Sequence, residues 1–519
     1  MKQGFDVIVI GAGHNGLTAG ATLARHGRRV LVLERRGVLG GLAAGEEFHP
    51  GYRTTGLLHD TTAVRKSVIR DLELERYGLV TAADPPRVFV PQLEGRGLLL
   101  TSDAREAFDE LFLISPHDAR RYTEYREFID RVRVFVADFF SRTAPSLDSL
   151  NHGGPLALWR EALGFRRLGR RDMLELLRIV PMSVADWLDE WFESDELKSL
   201  LAGRALLGSF AGPRSPGTAA ALLIDACLAR PAIVGGPQAL VDALTHAASE
   251  HGVEFRTEAD VQRIRVAARR VTGVTLMGGE TIDAPIVAAS CDPRRTVLHL
   301  LAARDVPHTF AQRIRSFRVR GTAAKVHLAL SGPLRFASRP DEAFEHIHIA
   351  GGLDDMERAF DAAKYRRCSE TPLLDIHVPT VSQPALAPEG HCVVSILAHH
   401  APYDLDGGWT FQQRKDLGHA VVDTLERFAP GVKDSIVARE VLTPDDLENR
   451  YGLSGGHVFH GEHALDQRLA RPTPESARYA TPIAGLFLCG SGSHPGGGIT
   501  CAPGTLAAAA ILNGAAAGH

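Results

Sequence analysis

The pattern of apolar and polar positions predicts alternating strands and helices at the start of the chain. Residues 5–10 are almost all apolar, residues 14–26 follow a helical pattern that ends at Gly27, and residues 29–33 are apolar again. A short continuous apolar run is typical of a strand that is buried on both faces of a parallel sheet. The succession therefore predicts a β-α-β unit, in which a helix connects two parallel strands.

The remaining pattern predicts a long helical region followed by further strands. Residues 102–200 are mostly helical, and residues 157–194 read as a helical stretch within them. A helix at 237–250 leads into short strands between 253 and 289. The later elements are predicted as strands 322–330, 344–350, 372–378 and 391–399, helix 410–428, strand 485–489 and helix 503–513.

A glycine motif lies between the first strand and the first helix. Gly11 permits a tight turn, Gly13 lets the backbone approach a pyrophosphate, and Gly16 allows close packing of the helix on the strand. Glu34 ends the second strand, where a carboxylate can bind ribose hydroxyls. These features predict a dinucleotide site, and the double glycine at 40–41 favours FAD over NAD because it suits a loop that passes the second half of a longer ligand.

These nucleotide-binding signals occur at the start, the middle and the end of the chain, which favours two interleaved domains over three in series. We predict an α/β protein with a Rossmann-type FAD-binding domain, built on a parallel sheet, and a substrate domain of a mixed sheet and helices. The FAD-binding domain takes residues 1–75, 231–293 and 431–519. The substrate domain takes residues 76–230 and 294–430.

Composition narrows the function further. The 519 residues carry a formal net charge of −4, which argues against a strongly basic nucleic-acid binder. The six cysteines form no CxxC motif, so neither a zinc ribbon nor a dithiol redox centre is expected. Charged residues interrupt every long apolar run and no signal peptide is visible, so we expect a cytoplasmic protein.

Three segments carry a family resemblance. Residues 11–41, with IVAASCDPRRTVLHL at 286–300 and LFLCGSGSHPGGGITCAPG at 486–504, are similar to the FAD-dependent phytoene desaturase and flavin amine oxidase superfamily. Residues 455–467 and 493–498 most resemble the phytoene-desaturase-like branch called pyridine nucleotide-disulphide oxidoreductase domain-containing protein 2. The resemblance spans nearly the whole chain and is weak across 100–230.

The resemblance implies a set of cofactor contacts. The first three glycines would cradle the FAD pyrophosphate, and Glu34 would hold the adenosine ribose. Glycine stands where covalent amine oxidases carry their flavin-linking cysteine, so FAD is expected to bind non-covalently. Further cofactor contacts are expected at Arg35, Gly40, Gly41, Thr55, Gly56, Leu57, the backbone of Val261, Gly490, Ser491, Gly498, Ile499 and Thr500.

Lys325, His460 and His494 are the catalytic candidates. The resemblance places Lys325 where flavin amine oxidases hold a water near flavin N5, and its apolar neighbours predict a buried, paired lysine, although a structural ion pair is the alternative. His460 belongs to a Gly-rich run with His457 and His463, and His494 precedes the flavin loop, so each could shuttle a proton or simply fix a loop. No metal site is predicted, including at the alternating His346 and His348.

Two surface features suggest how a substrate would reach the site. Aromatic and apolar residues between 125 and 139 form a stripe that could line an apolar tunnel or belong to the core. The basic cluster Arg166, Arg167, Arg170 and Arg171 could face a membrane surface or solvent.

Three functions stay open. The first is a desaturase, saturase or isomerase of an apolar, polyene or lipid-like substrate, with a quinone or oxygen as electron acceptor. The second is an oxygen-dependent amine or amino-acid oxidase, which Lys325 favours. The third is a flavoprotein whose main role is to bind a partner. Substrate identity and oligomeric state cannot be read from the sequence.

Overall fold

The computed structural model describes residues 4–144 and 155–516, with side chains described for 4–144 and 161–514. The strands are β1 (Val7–Ile10), β2 (Val30–Leu33), β3 (Glu47–His49), β4 (Tyr52–Arg53), β5 (Val88–Val90), β6 (Leu98–Leu100), β7 (Glu254–Arg256), β8 (Val261–Ala267), β9 (Arg270–Leu276), β10 (Thr281–Asp283), β11 (Ile286–Ala289), β12 (Ala323–Leu330), β13 (His346–Ile349), β14 (Leu374–His377), β15 (Cys392–His399), β16 (Ile436–Leu442) and β17 (Leu486–Leu488).

The helices are α1 (His14–Arg25), α2 (Lys66–Asp71), α3 (Ala104–Phe112), α4 (Pro116–Ser141), α5 (Pro155–Arg167), α6 (Gly169–Ile179), α7 (Val184–Asp189), α8 (Asp195–Leu206), α9 (Thr218–Leu228), α10 (Gly236–Glu250), α11 (His308–Ser316), α12 (Leu353–Lys364), α13 (Phe411–Phe428), α14 (Val432–Ser435), α15 (Pro444–Tyr451), α16 (Leu465–Arg468) and α17 (Ala502–Ala516).

A five-stranded parallel sheet forms the centre of the nucleotide-binding part. Its strand order is β17-β11-β1-β2-β7, and every neighbouring pair runs parallel. All four residues of β1 and of β2 are buried, because helices α1, α10 and α17 cover one face and the strands β8–β10 pack on the other. The predicted Rossmann-type α/β architecture is confirmed, and its strands come from the start, the middle and the end of the chain.

A seven-stranded mixed sheet forms the centre of the second part. Its order is β16-β12-β15-β14-β13-β5-β6, and only β5 and β13 pair in parallel. β12 and β15 are buried along their entire length between the two parts of the molecule. The domain division remains a prediction, and β16, which follows the expected boundary at residue 431, pairs with β12 in this second sheet.

Helices α3 to α9 cover the remaining side of the mixed sheet. They pack around Trp187, which is fully buried, with Tyr125 against its ring and Phe192 against Tyr125. The helical stretch expected at 157–194 is three helices instead of one. Gly169 takes a left-handed φ of +80° between α5 and α6, and Pro181 follows α6, since a proline cannot continue a helix.

Candidate active site

The carboxyl ends of β1, β11 and β17 meet at one edge of the five-stranded sheet. Gly11 follows β1, Ser290 follows β11 and Gly490 comes soon after β17. A Cβ on Gly490 would lie 2.2 Å from the backbone oxygen of Ser290, and one on Gly16 would lie 2.0 Å from that of Gly11. The backbones therefore approach so closely that only glycine fits, and ligands of open α/β sheets bind at this edge.

Glu34 ties two loops of this edge together. Its buried carboxylate accepts hydrogen bonds from the backbone N–H of Ala12, at 2.8 Å, and of Arg36, at 3.0 Å. The loop at Gly40 and Gly41 then returns against the first glycine loop, where the N–H of Gly40 donates to the oxygen of Ala12. The carboxylate expected to hold a ribose is thus fixed beside the turn expected to hold a pyrophosphate.

This edge has the donors and the space that a dinucleotide requires. Helix α1 begins at Gly13 with no side chain capping its first amides, and a Cβ on Gly13 would meet no atom within 4 Å. The buried Oδ1 of Asn15 and Oγ1 of Thr55 have no hydrogen-bond partner among the residues that the structure describes. The uncapped amides at the helix start and the hydroxyl of Thr55 can donate to the pyrophosphate of FAD, whereas Oδ1 of Asn15 can accept from a hydroxyl of the cofactor.

The other predicted cofactor residues gather around the same edge, with one exception. Thr55, Gly56 and Leu57 run beside Leu42 and Ala43, and the N–H of Ala259, two residues before Val261, donates to the oxygen of Glu34. Ser491 accepts a hydrogen bond from Asn15 at 3.1 Å. The exception is Arg35, whose guanidinium donates to the carbonyls of Asn449 and Arg450 at the end of α15 and is therefore occupied by the protein.

A cavity of about 440 Å³ opens beside this edge, between the two parts of the molecule. Residues 496–500, just before α17, form one wall together with residues 58–62. Side chains of α4, α8 and α9 form a largely apolar wall, and β13 to β15 form a polar one. The predicted cofactor residues Gly498, Ile499 and Thr500 therefore face the space where a substrate would lie.

Lys325 is buried as predicted but has a different partner. It is 0% exposed on β12, and its Nζ lies 3.5 Å from Nδ1 of His59. Among the described side chains no carboxylate forms an ion pair with it. Burial lowers the pKa of Lys325 to about 7, and the negative charge of Asp375 opposes this shift only in part. The amine can therefore lose its proton near neutral pH.

His59 stands between Lys325 and the cavity and was missed by the sequence analysis. His59 lines the cavity, whereas Lys325 does not. Its ring stacks on that of His377, with centroids 5.1 Å apart, and burial with the charge of Lys325 lowers its pKa well below the usual value. The sequence feature that could have identified His59 is its position two residues after Leu57, in the segment already expected to contact the cofactor.

Asp375 organises the polar wall. Its two carboxylate oxygens each lie 2.6 Å from a ring nitrogen, one of His348 and one of His399. Burial raises the pKa of Asp375, but these two histidines outweigh burial and hold the pKa well below its ordinary value. His346 and His348 both line the cavity but have different partners, because His348 is bound to Asp375 and His346 stacks on His377.

The candidate histidines His460 and His494 lie outside the cavity wall. Nε2 of His494 lies 3.1 Å from the carbonyl of Arg142, and its ring stacks on Phe140. His460 is buried with a left-handed φ of +57°. Nδ1 of His457 accepts backbone N–H bonds within the same run, and His463 does line the cavity. Catalytic roles for His460 and His494 stay predictions, and neither borders the cavity.

The aromatic stripe of α4 is divided between cavity and core. Tyr125 lines the cavity, as do its helix neighbours Ile129 and Phe140. Phe128 and Val132 are buried in the helical core instead. A tunnel along this stripe stays a prediction, since Tyr125 borders the cavity and Phe128 and Val132 belong to the core.

The basic cluster on α5 and α6 is exposed, and apolar side chains share its faces. Arg170 precedes Leu174 and Leu177 on one face of α6, and these leucines are 52% and 58% exposed. Leu163 lies one turn before Arg167 on α5 and is 47% exposed. Among the helices described, none has the length and apolar character needed to cross a bilayer.

Comparison with known proteins agrees with this geometry. The family model of flavin-containing amine oxidoreductases matches residues 16–512. The chain is 35% identical to the rat pyridine nucleotide-disulfide oxidoreductase domain-containing protein 2, over 98% of this chain and 93% of that protein. It is 25% identical to the neurosporene-forming phytoene desaturase of Rhodobacter capsulatus, over 95% and 90%. The structure of cyclohexylamine oxidase from Brevibacterium oxydans covers 99% of this chain and 100% of its own, with a TM-score of 0.58 at 18% identity.

The fold and the glycine-lined edge define a flavoprotein oxidoreductase. The chain belongs to the flavin-containing amine oxidoreductase family and is an FAD-dependent enzyme of the amine oxidase and phytoene desaturase superfamily.

Proposed function

We propose that the protein transfers a hydride between a carbon of an apolar, polyene or lipid-like substrate and N5 of FAD, as a desaturase, saturase or isomerase. The observation that carries this proposal is the cavity, because it joins residues 496–500 to a wall on α4, α8 and α9 that is mostly apolar, although Arg204 and Asp225 also line it. The 25% identity to a phytoene desaturase supports the same substrate class.

The residues at the glycine-lined edge of the five-stranded sheet would hold the flavin without a covalent bond. When bound, FAD supplies reversible hydride exchange at N5. The chain binds its phosphates at the start of α1, and the positive end of α17 can stabilise negative charge on the reduced ring. The apolar helices exclude water and align the substrate carbon. A quinone or oxygen would accept the electrons.

A second candidate is an oxygen-dependent amine or amino-acid oxidase. Lys325 favours it, because an amine with a pKa of about 7 can take a proton near neutral pH, and His59 connects it to the cavity. The structural likeness to cyclohexylamine oxidase is compatible with this reading but shows the fold alone.

Stopped-flow mixing of the photoreduced protein with oxygen separates the two candidates. A desaturase that passes its electrons to a quinone is expected to be reoxidised by oxygen no faster than free reduced flavin, both as wild type and as Lys325→Met. An oxidase would reoxidise far faster, and Lys325→Met would abolish the acceleration. Fast reoxidation of the wild type that is lost in the variant would therefore overturn the first proposal in favour of the second.

We also propose that the exposed face of α5 and α6 contacts a membrane surface. Arginines next to exposed leucines suit anionic lipid headgroups and the acyl boundary beneath them. Cosedimentation with vesicles that contain phosphatidylserine tests this. The double variant Arg170→Glu and Arg171→Glu should bind several-fold less, whereas Arg427→Glu, an exposed change on α13, should bind like wild type. Equal binding of all three proteins would contradict the proposal.

A further inference from the structure

Two histidines and a glutamate come together at the paired ends of β13 and β14. His346 and His377 are direct cross-strand partners in this antiparallel pair, and Glu345 immediately precedes β13. One ligand atom from each of the three residues lies within 4.8 Å of the others. His346 also lines the cavity. The cluster is thus set into the polar wall of the cavity.

The spacing of two donors already matches a metal site. Nε2 of His377 and Oε1 of Glu345 are 3.2 Å apart. A zinc ion with bonds of about 2.0–2.1 Å in tetrahedral geometry holds neighbouring ligand atoms about 3.3 Å apart. The third donor, on His346, is within reach of a side-chain rotation, because the two imidazole rings stack with centroids 4.9 Å apart.

The surroundings hold these side chains in a form that can bind a cation. Ser382 donates a hydrogen bond to Oε1 of Glu345 at 2.8 Å, and the ring of His59 packs against both His377 and His346, with centroids 5.1 Å and 6.3 Å away. An imidazole binds a metal ion in its neutral form, through a ring nitrogen that carries no proton.

Charges of both signs face the cluster. Lys325 reaches it from β12 and Arg204 from α8, while Asp60 faces it from the 58–62 segment and Asp375 from β14. The lysine opposes a cation least when it is uncharged, and the carboxylate of Glu345 supplies the negative charge within the cluster.

We propose that Glu345, His346 and His377 bind a divalent transition-metal ion of the zinc type, with a further coordination position open toward the cavity. Two imidazoles and one carboxylate suit zinc and its neighbours better than calcium or magnesium, which prefer oxygen ligands. Three protein ligands leave room for a water or for an oxygen or nitrogen atom of a substrate. The sequence predicted no metal here because it could not pair His346 with His377.

Metal content of the flavin-loaded full-length protein tests the proposal. After chelation and equilibrium dialysis against ZnCl₂, we expect one zinc per chain. His346→Ala and His377→Ala should each weaken zinc binding at least tenfold, and so should the nearly isosteric Glu345→Gln. His391→Ala is the matched control, because that histidine immediately precedes β15 of the same sheet and contacts Tyr52 outside the cluster. It should bind zinc like wild type.

X-ray absorption of the zinc-loaded wild type provides a reading that needs no variant. We expect two imidazoles and oxygen in the coordination shell and no sulfur. Failure of the wild type to retain zinc, retention unchanged in His346→Ala and His377→Ala, or a shell with sulfur or without imidazole would each overturn the proposal. In that case the three side chains form a hydrogen-bonded cluster only. None of these readings depends on the substrate or the direction of the flavin reaction.

Discussion

A methyl group at Gly13 would separate cofactor binding from folding. Gly13 has φ −66° and ψ 167°, which alanine adopts without strain, and its Cβ would meet no atom within 4 Å. The free energy of unfolding of the apoprotein should therefore stay within about 0.5 kcal/mol of wild type. The same methyl would stand where the pyrophosphate approaches the start of α1.

The expected loss follows from the hydrogen bonds that the methyl prevents. A backbone N–H bond to a charged phosphate contributes about 1.5–3 kcal/mol. Loss of one such bond raises the dissociation constant of FAD roughly 10- to 150-fold, at about 1.4 kcal/mol for each factor of ten. Larger losses would indicate that the whole loop had moved.

Titration of the flavin-free protein with FAD, followed by quenching of flavin fluorescence, measures this constant. Gly278→Ala is the matched control, because a Cβ there also meets open space and the residue lies in the exposed turn before β10. It should bind FAD like wild type. If Gly13→Ala also binds like wild type, the pyrophosphate does not lie at the start of α1 and the cofactor site is wrong.

Three further changes test other parts of the account. Lys325→Met should raise the unfolding temperature at pH 7, because the pKa of this amine falls from 10.5 in the unfolded protein to about 7 in the folded protein. Burial of the charged amine therefore destabilises the fold most below pH 7. In thermal melts the gain in unfolding temperature should shrink as the pH rises from 7 toward 10.5. A gain that grows with pH would contradict the shift. Trp187→Ala should lower the free energy of unfolding by about 3–5 kcal/mol in denaturant titrations. The control Phe411→Ala, at a side chain that is 79% exposed, should change it by under about 0.5 kcal/mol. Similar values for both variants would contradict the burial of Trp187 in the helical core. Arg471→Met should destabilise the protein by several kcal/mol and weaken FAD binding, because this buried guanidinium donates to the carbonyls of residues 459, 461, 462 and 491. Wild-type stability and FAD affinity in the variant would show that these hydrogen bonds are dispensable.

The nucleotide-binding half was predictable because its signals are local. The turn at Gly11, the carboxylate of Glu34 and the double glycine at 40–41 each have a stereochemical cause within a few residues. Periodicity also located β12 and β15, since both are fully buried runs. The break at Gly169 was missed because a glycine inside a helical pattern does not by itself show whether the helix continues.

The polar wall of the cavity could not be predicted, because it depends on contacts between distant segments. His59 meets Lys325 across 266 positions of the sequence. Asp375 gathers His348 and His399 from two neighbouring strands. Strand order in a mixed sheet is set by the packing of the entire domain, so no local pattern shows which histidine faces which carboxylate. For Arg35 the sequence suggested a side-chain contact that the structure uses differently. Its place beside Glu34 suggested a cofactor contact, but its guanidinium donates to two carbonyls of α15.

The most direct test of the central claim is anaerobic mixing of the oxidised protein with donors of the two substrate classes. The visible absorption band of the flavin reports hydride transfer without any need for an external acceptor. The account predicts that a polyene or lipid-like donor bleaches this band, and that amines and amino acids do not. Bleaching by amines or amino acids alone would contradict the account and would make the protein an amine or amino-acid oxidase.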